Sequence, residues 1–142
     1  MAKTTTFSND FLKLIFNGTS IDDLAEDDST SPNTDLYVSL HTSSPGISGN
    51  QTTNECAYTD YERVAVARDG TGWTVTANAV SPANPIEFPT ATGGTEVATH
   101  FGIGTDVSGT GKLLWFGSVS PNINISNGVQ PRLTTTSAVT ET

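Results

Sequence analysis

From Leu36 onward, apolar residues recur at every second position in short runs, and glycine, proline and asparagine break those runs at close intervals. A period of two is the mark of a strand with one face turned to a core, because successive side chains of an extended chain point to opposite sides. Leu36, Val38 and Leu40 alternate with Tyr37, Ser39 and His41. Val64 and Val66 share a face within 61–68, and Val97, Thr99, Phe101 and Ile103 alternate with Ala98, His100 and Gly102. The run Leu113-Leu114-Trp115-Phe116 is apolar throughout and predicts a strand buried on both faces. Asp69-Gly70, ahead of Trp73-Thr74-Val75-Thr76, predicts a hairpin with the preceding strand, and Asn127-Gly128 predicts a second. Ile86-Glu87-Phe88 is fenced by Pro85 and Pro89, and Pro131 falls near the end of the pattern, both signs of sheet edges. The expectation is a mainly β fold, a β-sandwich or barrel-like domain of about eight short antiparallel strands.

The first 35 residues read differently. Residues 1–6 form a polar arm. A short N-terminal helix is expected over 7–18, with Ser8 as N-cap, Asp10 against the positive end of the helix and Gly18 as the stop. Phe7 and Leu12 then occupy the positions of a hydrophobic staple, and Phe11, Leu14 and Ile15 extend an apolar stripe. A helix of about ten residues does not persist alone in water. It must dock, on its own sheet in preference to a neighbouring subunit. An acidic connector over 21–35 carries Asp22, Asp23, Glu26, Asp27, Asp28 and Asp35, without the spacing or the turn glycine of a calcium-binding loop, so a solvated loop is expected there. With the β-domain over 36–142, the chain is expected to be one domain, 1–142.

Charge and residue inventory narrow the function. The net charge of −9 repels phosphate backbones and anionic lipid, which argues against nucleic acid and membranes as partners. Cys56 is the single cysteine, so no intrachain disulfide can form, and a small side chain in a loop or half-buried site is expected. There is no apolar run of about 18 residues and no signal-like segment, so synthesis in the cytosol is expected. His41 and His100 are the strong base candidates, yet no Gly-x-Ser-x-Gly elbow accompanies them. Two histidines lack a third zinc ligand at suitable spacing. Gly102-Ile103-Gly104 and Gly109-Thr110-Gly111 do not open a helix as a phosphate loop does. No enzyme activity, catalytic residue, cofactor or metal is expected, which leaves binding. A carbohydrate-binding module would draw on Tyr58, Tyr61, Trp73 and Trp115, with Tyr58 and Tyr61 the better exposed and Trp115 in the core.

Several segments carry a resemblance. A short helix precedes Asp35-Leu36-Tyr37-Val38-Ser39-Leu40-His41-Thr42, closely followed by Pro45-Gly46. Then come Tyr58-Thr59-Asp60-Tyr61-Glu62-Arg63-Val64-Ala65-Val66, Ile86-Glu87-Phe88-Pro89, Thr99-His100-Phe101-Gly102-Ile103-Gly104 and Leu113-Leu114-Trp115-Phe116-Gly117. In this order, from Phe7 to the C-terminus, they resemble a group of small tailed-bacteriophage virion proteins that includes tail-fibre-like and capsid decoration (cement) subunits. The acidic connector is longer than the group's, and Glu62 stands where a small residue is expected before Arg63. The resemblance implies a virion structural protein, made in the host bacterial cytoplasm, with no catalytic residues. It favours a capsid decoration protein on the outside of the head shell, a homotrimer bound to the major capsid protein and to sister subunits, ahead of a tail-associated or tail-fibre-like position. On that reading residues 2–16 make the contact, through Ala2, Lys3, Thr4, Phe7, Phe11 and Ile15.

Overall fold

A computed structural model describes residues 3–21, 24 and 32–140. The fold is mainly β, as expected: among the described residues it has helix α1 (Thr5–Asn17) and nine strands in antiparallel sheets. The strands are β1 (Asp35–His41), β2 (Val64–Ala67), β3 (Trp73–Thr76), β4 (Ala79–Pro82), β5 (Ile86–Glu87), β6 (Glu96–Gly104), β7 (Leu113–Ile125), β8 (Arg132–Leu133) and β9 (Val139–Thr140). They belong to two compact units. The first comprises Met1–Asp35, Val66–Pro85 and Thr134–Thr142; the second comprises Leu36–Ala65 and Ile86–Leu133.

In the first unit the helix begins earlier than the sequence suggested. Thr4, not Ser8, is the N-cap, its hydroxyl accepting the Phe7 N–H at 3.2 Å. Either residue can cap, but starting at Thr4 places Ser8, Leu12 and Phe16 on one stripe at intervals of four, and all three are buried. The staple of Phe7 and Leu12 lapses with the shifted start. Gly18 does end the helix, in the left-handed conformation at φ 62 that glycine adopts without a steric penalty. Phe16 packs edge-on against Trp73 with ring centroids 4.9 Å apart. Arg68 closes the C-terminal turn, donating from Nη2 to the Leu14 carbonyl (2.7 Å) and from Nε to that of Ile15 (2.5 Å). There a cation also meets the negative end of the helix dipole.

The hairpin expected around Asp69-Gly70 does not form. Asp69 makes a turn, its carboxylate accepting the N–H groups of Thr71 (2.8 Å) and Gly72 (3.3 Å), but the strands on either side join different sheets. β3 pairs instead with β4, from Trp73↔Pro82 to Thr76↔Ala79, through a turn in which Ala77 holds φ 53. β4 in turn pairs with β9. An Asp-Gly step bends the chain; it does not choose the partner strand.

The four-stranded sheet runs β2-β1-β6-β7. β1 is flanked on both sides and pairs with β6 from Tyr37↔Gly104 to His41↔His100. Its expected polar face is not exposed, since Ser39 and His41 are as buried as Leu36, Val38 and Leu40. β6 breaks its own alternation through register shifts at Ala98/His100 and Ile103/Gly104, so Val97 is exposed while Ala98 is buried. β7 is not enclosed on both faces either. Among the described residues it is the last strand of its sheet, and residues 113–117 are half-buried. Gly128 turns the chain at φ 88, yet no second hairpin follows, because β8 pairs with β5 through Ile86↔Leu133 and Glu87↔Arg132.

Candidate functional site

In the second unit, loops 42–59 and 105–112 are held together by buried polar side chains. Gln51 is fully buried; its Nε2 donates to the Asp106 carbonyl (3.2 Å) and its Oε1 accepts the Asp106 N–H (3.0 Å). Its own N–H donates to the Thr110 carbonyl at 2.9 Å. Two glycines make room for this amide. A Cβ at Gly104 would lie 2.2 Å from Gln51 Cδ, and one at Gly111 would lie 1.9 Å from Gln51 Oε1.

Arg63 completes the brace. Its guanidinium grips Glu55 with two bonds, Nε to Oε1 (2.7 Å) and Nη2 to Oε2 (2.8 Å), the fork-on-fork geometry that makes such pairs strong. The same group donates to the carbonyls of Asp106 (2.9 Å) and Gly109 (2.7 Å). Hydrogen bonding to Glu55 holds the Arg63 pKa above its ordinary value, against the opposing effect of burial. Tyr61 donates to Glu55 Oε1 at 2.9 Å and accepts the Leu40 N–H at 3.0 Å. Burial, reinforced by the Glu55 charge, pushes its hydroxyl pKa far up. The far end of loop 42–59 is fixed by Glu96, whose carboxylate accepts the N–H groups of Ala57 (2.9 Å) and Tyr58 (3.0 Å).

A cleft of 370 Å³ opens beside this brace, lined by Glu55, Tyr61, Glu62, Arg63, Val107, Ser108 and Gly109. The braced loops present apolar residues to solvent, Ile47 at 98% exposure and Val107 at 63%. Rigidly held loops with exposed apolar side chains are the usual build of a recognition surface. Sequence reading missed this brace, since Gln51, Glu55, Arg63 and Asp106 share no spacing that marks them as a group.

Of the residues expected to bind a partner, Ala2 lies outside the described residues. Lys3 and Thr4 are exposed, and Thr4 is engaged as the helix cap. Phe7, 42% exposed, shares a helical stripe with Phe11 and Ile15, both half-buried, beside the buried stripe of Ser8, Leu12 and Phe16. Most of the acidic connector also lies outside the described residues.

The candidate bases are occupied by structure. His41 is fully buried, with Nε2 2.8 Å from Ser39 Oγ and Nδ1 2.8 Å from the Thr53 carbonyl. Burial lowers its pKa below 6.5. His100 Nδ1 lies 2.8 Å from Thr99 Oγ1. Cys56 is more deeply placed than expected; burial, with Glu96 and Glu55 nearby, pushes its thiol up to about 12. The aromatic assignments reverse. Tyr58 and Trp73 are buried, Tyr61 is half-buried, and Trp115 is half-buried rather than in the core. The reason lies in the hydroxyls: Tyr58 donates to the Pro89 carbonyl (2.8 Å) and Tyr61 has two partners, so both rings can leave water. Among the described residues no group of three or more His, Cys, Asp or Glu side chains is placed to hold a metal, and no helix is long and apolar enough to cross a membrane.

The described residues form a mainly β-protein that displays apolar side chains on braced loops. The family described as podophage GP4 fiber I protein gp80 matches residues 2–141, and the chain belongs to that family of bacteriophage virion structural proteins. A comparison with curated proteins finds no match.

Proposed function

We propose that this chain is a structural subunit of a podophage fibre, acting by binding other virion proteins and without catalysis. The family match over 2–141, to a family whose description names a fibre, is the observation that carries this reading. It moves the fibre position ahead of the head-decoration position expected from sequence. Two surfaces suit such a role: the helix stripe of Phe7, Phe11 and Ile15, and the braced loops displaying Ile47 and Val107. Both put apolar side chains where a partner protein would remove them from water.

Cryo-electron microscopy of the virion tests the position, with an antibody fragment against this chain as marker. Density and label on fibres support the reading. Label spread over the head lattice overturns it in favour of a decoration protein. The helix stripe has its own test, because Phe7→Ser removes an exposed ring at small cost to folding. Reduced incorporation into particles is expected, and unchanged incorporation would remove the stripe from the contact.

A further inference from the structure

We propose that the cleft beside the loop brace seats a basic side chain, a lysine or an arginine, of a partner protein. This deepens the proposed function and rests on it for one point, that the partner belongs to the virion. The cleft lies wholly within the second unit, and its 370 Å³ is at the small end of the range for ligand sites. That suits one long side chain better than a large ligand.

The hydrogen-bonding capacity left over in the cleft is mostly of one kind. Arg63 is nearly spent: of the five N–H groups of a guanidinium, Nε gives one bond, Nη1 one and Nη2 two, all to Glu55 or to the Asp106 and Gly109 carbonyls. The carboxylates are not. Glu55 Oε2 accepts from Arg63 alone, and Glu62 is exposed in the lining with neither a hydrogen bond nor an ion pair among the described residues. An anion entering here would meet two carboxylates and a guanidinium with one N–H to offer. A cation with several donors meets acceptors that have room for it. Val107, 63% exposed, gives the aliphatic stem of such a side chain an apolar wall. The net charge of −9 draws a basic surface toward the chain. A sugar is the poorer occupant, because Tyr61, the aromatic residue of the lining, is half-buried and already packs against Tyr58 and Phe88.

The test is amide NMR on the full chain, titrated with a capped, glycine-flanked arginine tripeptide and with its lysine and citrulline analogues. Saturating shifts at Glu62 and in 107–109 are expected with arginine and lysine, with a dissociation constant on the order of 1 mM. Citrulline, which keeps the shape and loses the charge, should leave these amides in place. Glu62 is exposed, so Glu62→Gln should preserve the rest of the spectrum while weakening the arginine peptide about threefold or more. Added salt should weaken it too. Absent shifts, equal shifts with citrulline, indifference to Glu62→Gln, or a neutral oligosaccharide that moves these amides where the arginine peptide does not would each overturn the proposal. Glu62→Arg should also lower incorporation into particles, and normal incorporation would overturn the role of the cleft in the virion. Antibody label on the head lattice would overturn the fibre position and leave peptide binding intact, whereas a silent titration would strike out the cleft and leave the fibre position standing.

Discussion

Ser39 Oγ lies 2.8 Å from His41 Nε2, and both side chains are fully excluded from solvent. A hydroxyl against an imidazole is the geometry of a nucleophile and its base, but here it is closed within a sheet. The Thr53 carbonyl fixes the tautomer. It can only accept, so Nδ1 carries the proton, and Nε2 accepts from Ser39. On the neighbouring strand Gly102 stands opposite Ser39 and leaves room for the pair.

The buried ring makes stability depend on pH. Its folded pKa lies below 6.5, so the unfolded chain takes up the proton first as pH falls. The stabilising contribution is complete above about pH 6.5 and is lost progressively below it, until the folded ring also protonates. The slope from this one group is at most about 1.4 kcal/mol per pH unit. Urea midpoints between pH 8 and pH 5 should fall more steeply for the native chain than for His41→Gln, and parallel curves would refute the assignment.

Gly102→Ala should destabilise by about 1–3 kcal/mol through overpacking. The added Cβ would lie 2.8 Å from His41 Nε2, Ser39 Oγ and Leu113 Cδ1 alike. Gly70→Ala is the control, since nothing lies within 4 Å of its Cβ, and it should stay within about 0.5 kcal/mol of the native chain in chemical denaturation.

Arg63→Met should cost about 1–3 kcal/mol, because it leaves the half-buried Glu55 carboxylate with the Tyr61 hydroxyl alone and takes the donor from the Asp106 and Gly109 carbonyls. Arg63→Lys should recover only part of this, as an ammonium cannot reproduce the two-pronged grip on Glu55. Amide exchange in 105–111 should accelerate in both variants, reporting release of the loop that Arg63 holds through the Asp106 and Gly109 carbonyls.

Cys56 should be unreactive in the folded chain. With its thiol at about 12, alkylation at pH 8 should run roughly a thousandfold slower than in urea. Equal rates would show that the loop opens readily around it.

Strand periodicity made the β character legible, and Gly18 made the end of the helix legible. Pairing was less so. Asp69-Gly70 and Asn127-Gly128 do bend the chain, but a turn motif carries no information about which strand lies alongside. The turn that closes a hairpin, at Ala77-Asn78, has no glycine to announce it. Alternation also misjudged burial where position within the sheet decided it, as at β1 between two neighbours and at β7 with one. The loop brace was invisible for a different reason. Gln51 and Asp106 are 55 residues apart, and hydrogen bonds over that separation leave no local pattern.

The two units are interleaved along the sequence, and this bears on how the protein can be made and handled. The first unit draws on three separated stretches and the second on two, so neither can be cut out as a continuous fragment. β9, which pairs with β4, is supplied by residues 139–140. During translation the first unit therefore stays one strand short until residues 139–140 have left the ribosome. A tag inserted at the Ile47 loop tip would leave both units intact, whereas trimming the last few residues would take a strand from the first.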